Sequence, residues 1–233
     1  MLPSWIDCSF VAVFAGAWPA FENLVRLPRV KTEIAAQGAA RRISEYRFTM
    51  LQEWLLVAIA IALIVFDRRP WASVGLVLPH GAGIWWTLGI LLAVAGLLRM
   101  QYGVATGTER ARASVNRQLA SVRWLLPSAG PELANFRALS VTAGVCEEIL
   151  FRGYLMAFLL PFGGVGVAVA LSSLLFGLGH GYQGVVGIVK SGVLGALMAG
   201  MYVLTGSLLA PILVHAMIDW SSGQIAAEVP AAS

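Results

Sequence analysis

Three short patterns place ionisable side chains in stretches that are otherwise apolar. The first, GVCEEILFRGYL, holds Glu147, Glu148 and Arg152. On a helix Glu148 and Arg152 stand four residues apart and share a face, so they can pair across one turn. Glu147 points about 100° away from its neighbour on the same helix, which leaves one carboxylate free for other work. The second pattern, LLFGLGHGYQG, sets Phe176 and His180 one helical turn apart. The third, APILVHAMIDW, repeats the spacing with His215 and Asp219. There the carboxylate can accept from one imidazole nitrogen and fix which tautomer the other presents.

This inventory suffices for hydrolysis without a nucleophilic side chain. A water held by Glu147 and His180 would lose its proton to the carboxylate and attack a carbonyl carbon, while His215 would stabilise the oxyanion that forms. The bland readings are a Glu148–Arg152 pair that glues helices, an interfacial His180, and a mutually satisfied His215–Asp219 pair. Cost argues against pure decoration. A charge at the centre of a bilayer costs about 2.5–3.5 kcal/mol, so Glu147, Glu148, Arg152 and Asp219 together cost on the order of 10 kcal/mol before pairing, as much as many proteins have in total stability.

The elements that must position these groups are membrane helices. Of the 233 residues 58% are hydrophobic and 12% charged, and the mean hydropathy is +0.78, far from the balance of a soluble domain. Apolar runs of crossing length predict spans at residues 5–22, 50–66, 82–99, 135–160, 163–181, 185–204 and 206–225. The expected fold is all-α, a polytopic bundle of about seven spans (roughly six to eight) forming a single integral-membrane domain over 1–233. Its N-terminal part, 1–134, is expected to hold spans and basic loops, and its site-bearing core 135–225. The run LQEWLLVAIAIALIVF reads as uninterrupted apolar sequence. The N-terminus has no basic residue ahead of its apolar stretch and carries Asp7, which reads as a first span and not a signal peptide.

Between the spans, residues 23–49 and 99–134 are rich in arginine and read as cytoplasmic loops by the positive-inside tendency. Within the second, ERARASVNRQLASVRWLL reads either as an amphipathic helix on the anionic leaflet or as a solvated linker. Net charge +4 points to lipid headgroups, with no nucleic-acid motif. Dense glycine from residue 163 onward, with Gly177 and Gly181 in GxxxG spacing, lets helix backbones approach closely. Cys8 and Cys146 form no CxxC pair and are expected to be buried, inert thiols. Lys190 is expected to snorkel.

The three patterns in order, EExxxR, FxxxH and HxxxD, resemble the CPBP (CAAX protease and bacteriocin-processing, Abi) intramembrane glutamate proteases, a family related to the type II CAAX prenyl endopeptidases. The resemblance spans roughly residues 135–222 and includes FRGYL after the glutamates. It implies an intramembrane endopeptidase with Glu147 as general base, His180 on the attacking water, His215 and Asp219 on the oxyanion side, and Glu148, Arg152 and Phe176 in support. Where the family has Asn, an ionised Asp219 is acceptor-only, so its expected task is to orient His215.

Members are often called metalloproteases. A zinc ion would fall to Glu147, His180 and His215, but HExxH is absent and metal-free catalysis is the expectation. The expected partners are the bilayer and a membrane-embedded or lipid-modified protein or peptide substrate. The expected location is the bacterial inner membrane, with the site toward the cytoplasmic leaflet. The alternatives are a catalytically silent immunity or scaffold protein of the same fold, and a proton-coupled transporter using the same groups as a relay.

Overall fold

A computed structural model describes residues 3–229, and among these all regular structure is helical. Helix α1 (Trp5–Gln37) opens on a capping box in which Ser4 and Asp7 satisfy each other's backbone N–H groups. It contains two π-helical turns, Val13–Ala17 and Glu22–Arg26, just ahead of the segments that carry Pro19 and Pro28. A proline withdraws one backbone donor and crowds the preceding turn, and a widened turn absorbs both effects.

Gly38, at φ 65°, breaks the chain from α1 into α2 (Ala39–Phe66). Residues 23–49 are thus almost wholly helical and not a loop. Several of their charges are matched within the fold, since Arg26 pairs with Glu22 and Glu45, and Arg42 with Glu132. The second basic stretch is also mostly helical. It continues α3 (Ala82–Gly107), and Thr108 then caps α4 (Glu109–Leu119).

Residues 130–179 fold into a hairpin of α5 (130–162) and α6 (165–179), turned at Gly163 and Gly164, the latter at φ 69°. Ser172 donates to the carbonyl of Phe151 at 2.9 Å, and the rings of Phe151 and Phe176 lie 5.1 Å apart. One straight helix would separate those two residues by about 37 Å. Helices α7 (Gly184–Thr205) and α8 (Leu209–Glu228) complete the bundle.

Two glycines set the helix spacing around the site. A Cβ on Gly177 would lie 2.6 Å from the Ile188 carbonyl and 3.1 Å from Gly192, which fixes α6 tightly on α7. A Cβ on Gly144 would lie 2.8 Å from the Ala216 nitrogen, which does the same for α5 on α8.

Five helical stretches are long and apolar enough to cross a membrane: α1, α2, α3, the α5–α6 hairpin, and Gly181–Thr205, which contains α7. The hairpin supplies two limbs, and α8 packs chiefly on α5. Each of the seven expected spans overlaps one of these helices, although α6 alone is short and α8 is not among the stretches of crossing length. Large apolar side chains such as Trp85, Leu92 and Val185 face outward, as lipid contact requires and water contact does not. Phe10, Phe14, Ile64, Tyr154, Leu155 and Leu208 fill the core between α1, α2, α5 and the start of α8. Cys146 is buried in this core, but Cys8 is exposed on α1, contrary to the expectation of two buried thiols.

Candidate active site

The local helix at the first pattern departs from the 3.6-residue period. Glu148–Leu155 is π-helical, directly after the regular turn that ends at Glu147. Widened turns of this kind recur at functional sites because they re-aim side chains without breaking the helix. Here Glu148 and Arg152 are fully buried and paired, with Arg152 Nη1 donating to Glu148 Oε1 at 2.9 Å.

The same oxygen also accepts from His215 Nδ1 at 2.8 Å. A single carboxylate oxygen thereby locks an arginine on its own helix and a histidine on α8, and it fixes Nε2 of His215 as the nitrogen turned toward the remaining carboxylates. Nε2 lies 3.7 Å from Glu147 Oε2 and 3.6 Å from Asp219 Oδ2. Both separations exceed a hydrogen bond. Asp219 is thus not the group that sets the His215 tautomer; Glu148 is, because it reaches Nδ1 from the neighbouring helix while Asp219 faces the other nitrogen.

Phe176 organises the rest. Its ring lies 4.2 Å under the Arg152 guanidinium, 6.0 Å from the His215 ring in edge contact, and 4.6 Å from that of His180. The π face offers the arginine a second site of charge stabilisation, since Arg152 Nε and Nη2 have no hydrogen-bond partner among the described residues. Gly195 leaves room for Arg152: a Cβ there would stand 2.9 Å from Nη2, so the guanidinium would have to shift. His180 ends α6 and donates from Nδ1 to the Phe176 carbonyl at 2.8 Å, which leaves Nε2 as the nitrogen free for other contacts.

A cavity of about 690 Å³ opens onto these groups. Glu147, Phe176, His180, His215 and Asp219 line it, whereas Glu148 and Arg152 sit behind the lining. Glu147 Oε2 is buried without a hydrogen-bond partner. The structure thus brings all seven residues of the three patterns into one neighbourhood and divides them into an inner pair and a cavity-facing set. Lys190 also lines the cavity.

The sequence reading missed one residue of the lining. Glu53, on α2, is 8% exposed, lines the cavity and lies within electrostatic range of Glu147, His215 and Asp219. The available signal was a lone carboxylate inside the apolar run LQEWLLVAIAIALIVF.

A zinc ion needs about four donors at close to 2 Å. Among the described residues no group of three His, Cys, Asp or Glu side chains is placed to hold a metal ion.

Fold and site together define an integral membrane protein with a carboxylate–histidine centre inside its helix bundle. Residues 129–221, 93 of the 233, match the family model described as type II CAAX prenyl endopeptidase Rce1-like. The match is a likeness to that family over less than half of the chain. It covers all seven residues of the three patterns and leaves out Glu53. No curated protein and no solved structure matches the chain.

Proposed function

We propose that the chain is an intramembrane endopeptidase that hydrolyses a peptide bond of a membrane-embedded or lipid-modified substrate with a water activated by Glu147. One observation carries the reading: the unpartnered Oε2 of Glu147 faces a cavity inside an apolar bundle, beside the Nε2 of His215.

A water between Glu147 and His180 meets two acceptors, the carboxylate and the free Nε2. It gives a hydrogen bond to each, and its lone pair stays directed at the carbonyl carbon. Glu147 takes the proton as the oxygen–carbon bond forms, a role worth about 10²–10⁴-fold in rate for a well-placed base. His215, donating from Nε2 when doubly protonated, meets the oxyanion. Glu148 steadies the imidazolium through Nδ1, and Arg152 holds Glu148 in place. Asp219 tunes the same side of the cavity without a direct hydrogen bond. No step is routed through a metal ion.

The cavity is also lined by Arg26, Gln118 and Ser121, from the two arginine-rich stretches. By the positive-inside tendency this supports an opening on the cytoplasmic face of a bacterial inner membrane, where a lipid-bearing tail or a leader segment would enter.

The test compares C-terminal and neo-terminal peptides of the host membrane proteome in wild type, a deletion strain, and the deletion complemented with Glu147→Gln. Loss of specific termini on deletion, not restored by the folded variant, is the expected result. Restoration by Glu147→Gln removes Glu147 as the base and leaves a silent scaffold or a transporter.

A further inference from the structure

The mechanism above leaves Glu53 unused. A glutamate in a membrane helix is costly, and this one is nine-tenths buried on α2 with Oε2 lacking any hydrogen-bond partner. No lysine, arginine or histidine among the described residues forms an ion pair with it; the nearby Arg26 is held by Glu22 and Glu45. The groups that face it are Glu147 and Cys146 from α5, His215 and Asp219 from α8, and Tyr182 from the turn between α6 and α7. Glu53 therefore stands in the cavity with Glu147, as a second carboxyl approaching from a different helix.

Peptide hydrolysis can use such a group as a general acid. When the tetrahedral adduct collapses, the amine nitrogen departs only if it gains a proton, and Glu147 has just received one on the water side. Where two carboxyls share a cavity, one can hold the proton while the other acts as base. Glu148 is held by Arg152 and His215, whereas no Lys or Arg forms an ion pair with Glu53 among the described residues.

We infer that Glu53 is a further catalytic residue, the general acid that protonates the leaving amine, an inference that rests on the peptidase reading. The balance closes. Water gives its proton to Glu147 and its oxygen to the carbonyl carbon. Glu53 gives its proton to the nitrogen as the carbon–nitrogen bond breaks. The proton on Glu147 then passes to Glu53 through cavity water, which restores both groups and leaves one new carboxyl and one new amine.

The experiment uses a peptide spanning a terminus that is lost on deletion, and its analogue with a thioester at the scissile bond. A thiol leaving group, with a pKa of about 8.5, departs as thiolate and needs no acid. Glu53→Gln is expected to slow kcat on the amide about 10²–10⁴-fold and to slow thioester cleavage by less than about tenfold. Glu147→Gln is expected to abolish both. Glu53→Asp, which keeps the carboxyl, is expected to recover part of the amide rate.

Equal losses on amide and thioester in Glu53→Gln, or no loss on either, overturn the inference while Glu147→Gln remains dead. Cleavage by Glu147→Gln removes Glu147 as the base and with it the mechanism on which the inference rests. A second arm needs no substrate. In lipid nanodiscs at neutral pH, the infrared carbonyl band of a protonated carboxyl should be present in the wild type and absent in Glu53→Gln. Its absence from the wild type refutes the assignment whatever the kinetics.

Discussion

Two adjacent glutamates with identical side chains should fail in opposite ways when truncated. Glu148 is fully buried, and its Oε1 holds both Arg152 and His215. In Glu148→Ala the guanidinium loses its one hydrogen-bond acceptor, because Nε and Nη2 already have none among the described residues. Breaking a buried pair by removing one partner costs about 3–5 kcal/mol. For a chain of this length each kcal/mol corresponds to roughly 2–4 °C, so the expected fall in Tm is about 6–20 °C.

Among the described residues Glu147 Oε2 has no hydrogen-bond partner, and the side chain keeps 20% exposure. Its truncation removes only a 3.7 Å contact with His215, a loss below about 1 kcal/mol and about 4 °C. Both variants should lack hydrolytic activity, one through loss of the base and the other through release of His215. The assay is thermal unfolding of purified protein in one detergent, followed by intrinsic tryptophan fluorescence.

A third variant sharpens the test. Glu148→Leu with Arg152→Met replaces the pair by apolar side chains and should recover most of the lost stability without recovering activity, since a buried pair is dearer to break than to delete. Equal Tm losses in Glu147→Ala and Glu148→Ala, or a double variant less stable than Glu148→Ala, would refute the division into a structural and a chemical carboxylate.

Gly195→Val should lower stability by about 1–3 kcal/mol through overpacking, with Arg152 displaced from Phe176, because a Cβ already stands 2.9 Å from Nη2 and 3.3 Å from the Phe176 ring. Unfolding midpoints of the Gly195→Ala and Gly195→Val series check this, and a flat series contradicts it. Asp219→Asn should keep activity within about tenfold and leave the fold intact, because its 3.6 Å approach to His215 is no hydrogen bond; a loss as deep as that of Glu147→Gln in the same assay would return Asp219 to the role of tautomer anchor.

What the sequence disclosed and what it withheld divide along one line, the reach of a single helix. Glu148 with Arg152, and Phe176 with His180, are neighbours four residues apart on one chain segment, so spacing alone placed them together, and the structure joins them at 2.9 Å and 4.6 Å. Which partner takes Nδ1 of His215 is decided between α5 and α8, and spacing favoured the wrong one, because i, i+4 geometry names Asp219 and cannot see Glu148 approaching from the next helix. The π turn at Glu148–Leu155 was equally out of reach, since a sequence period of 3.6 was assumed in order to read the pattern at all.

The arginine-rich stretches failed for a related reason. Charge was read as solvent exposure, whereas Arg26 and Arg42 are neutralised across helices by Glu45 and Glu132, which lets the chain remain helical through Gln37 and again from Ala39. Glu53 lacks even that excuse. It has no cation partner, it stands alone in an apolar run, and the same cost argument that singled out Glu147 applies to it with equal force. A motif directs attention to residues near one another in sequence; an unpaired carboxylate in a membrane helix directs it to a cavity, and here the two meet at the same one.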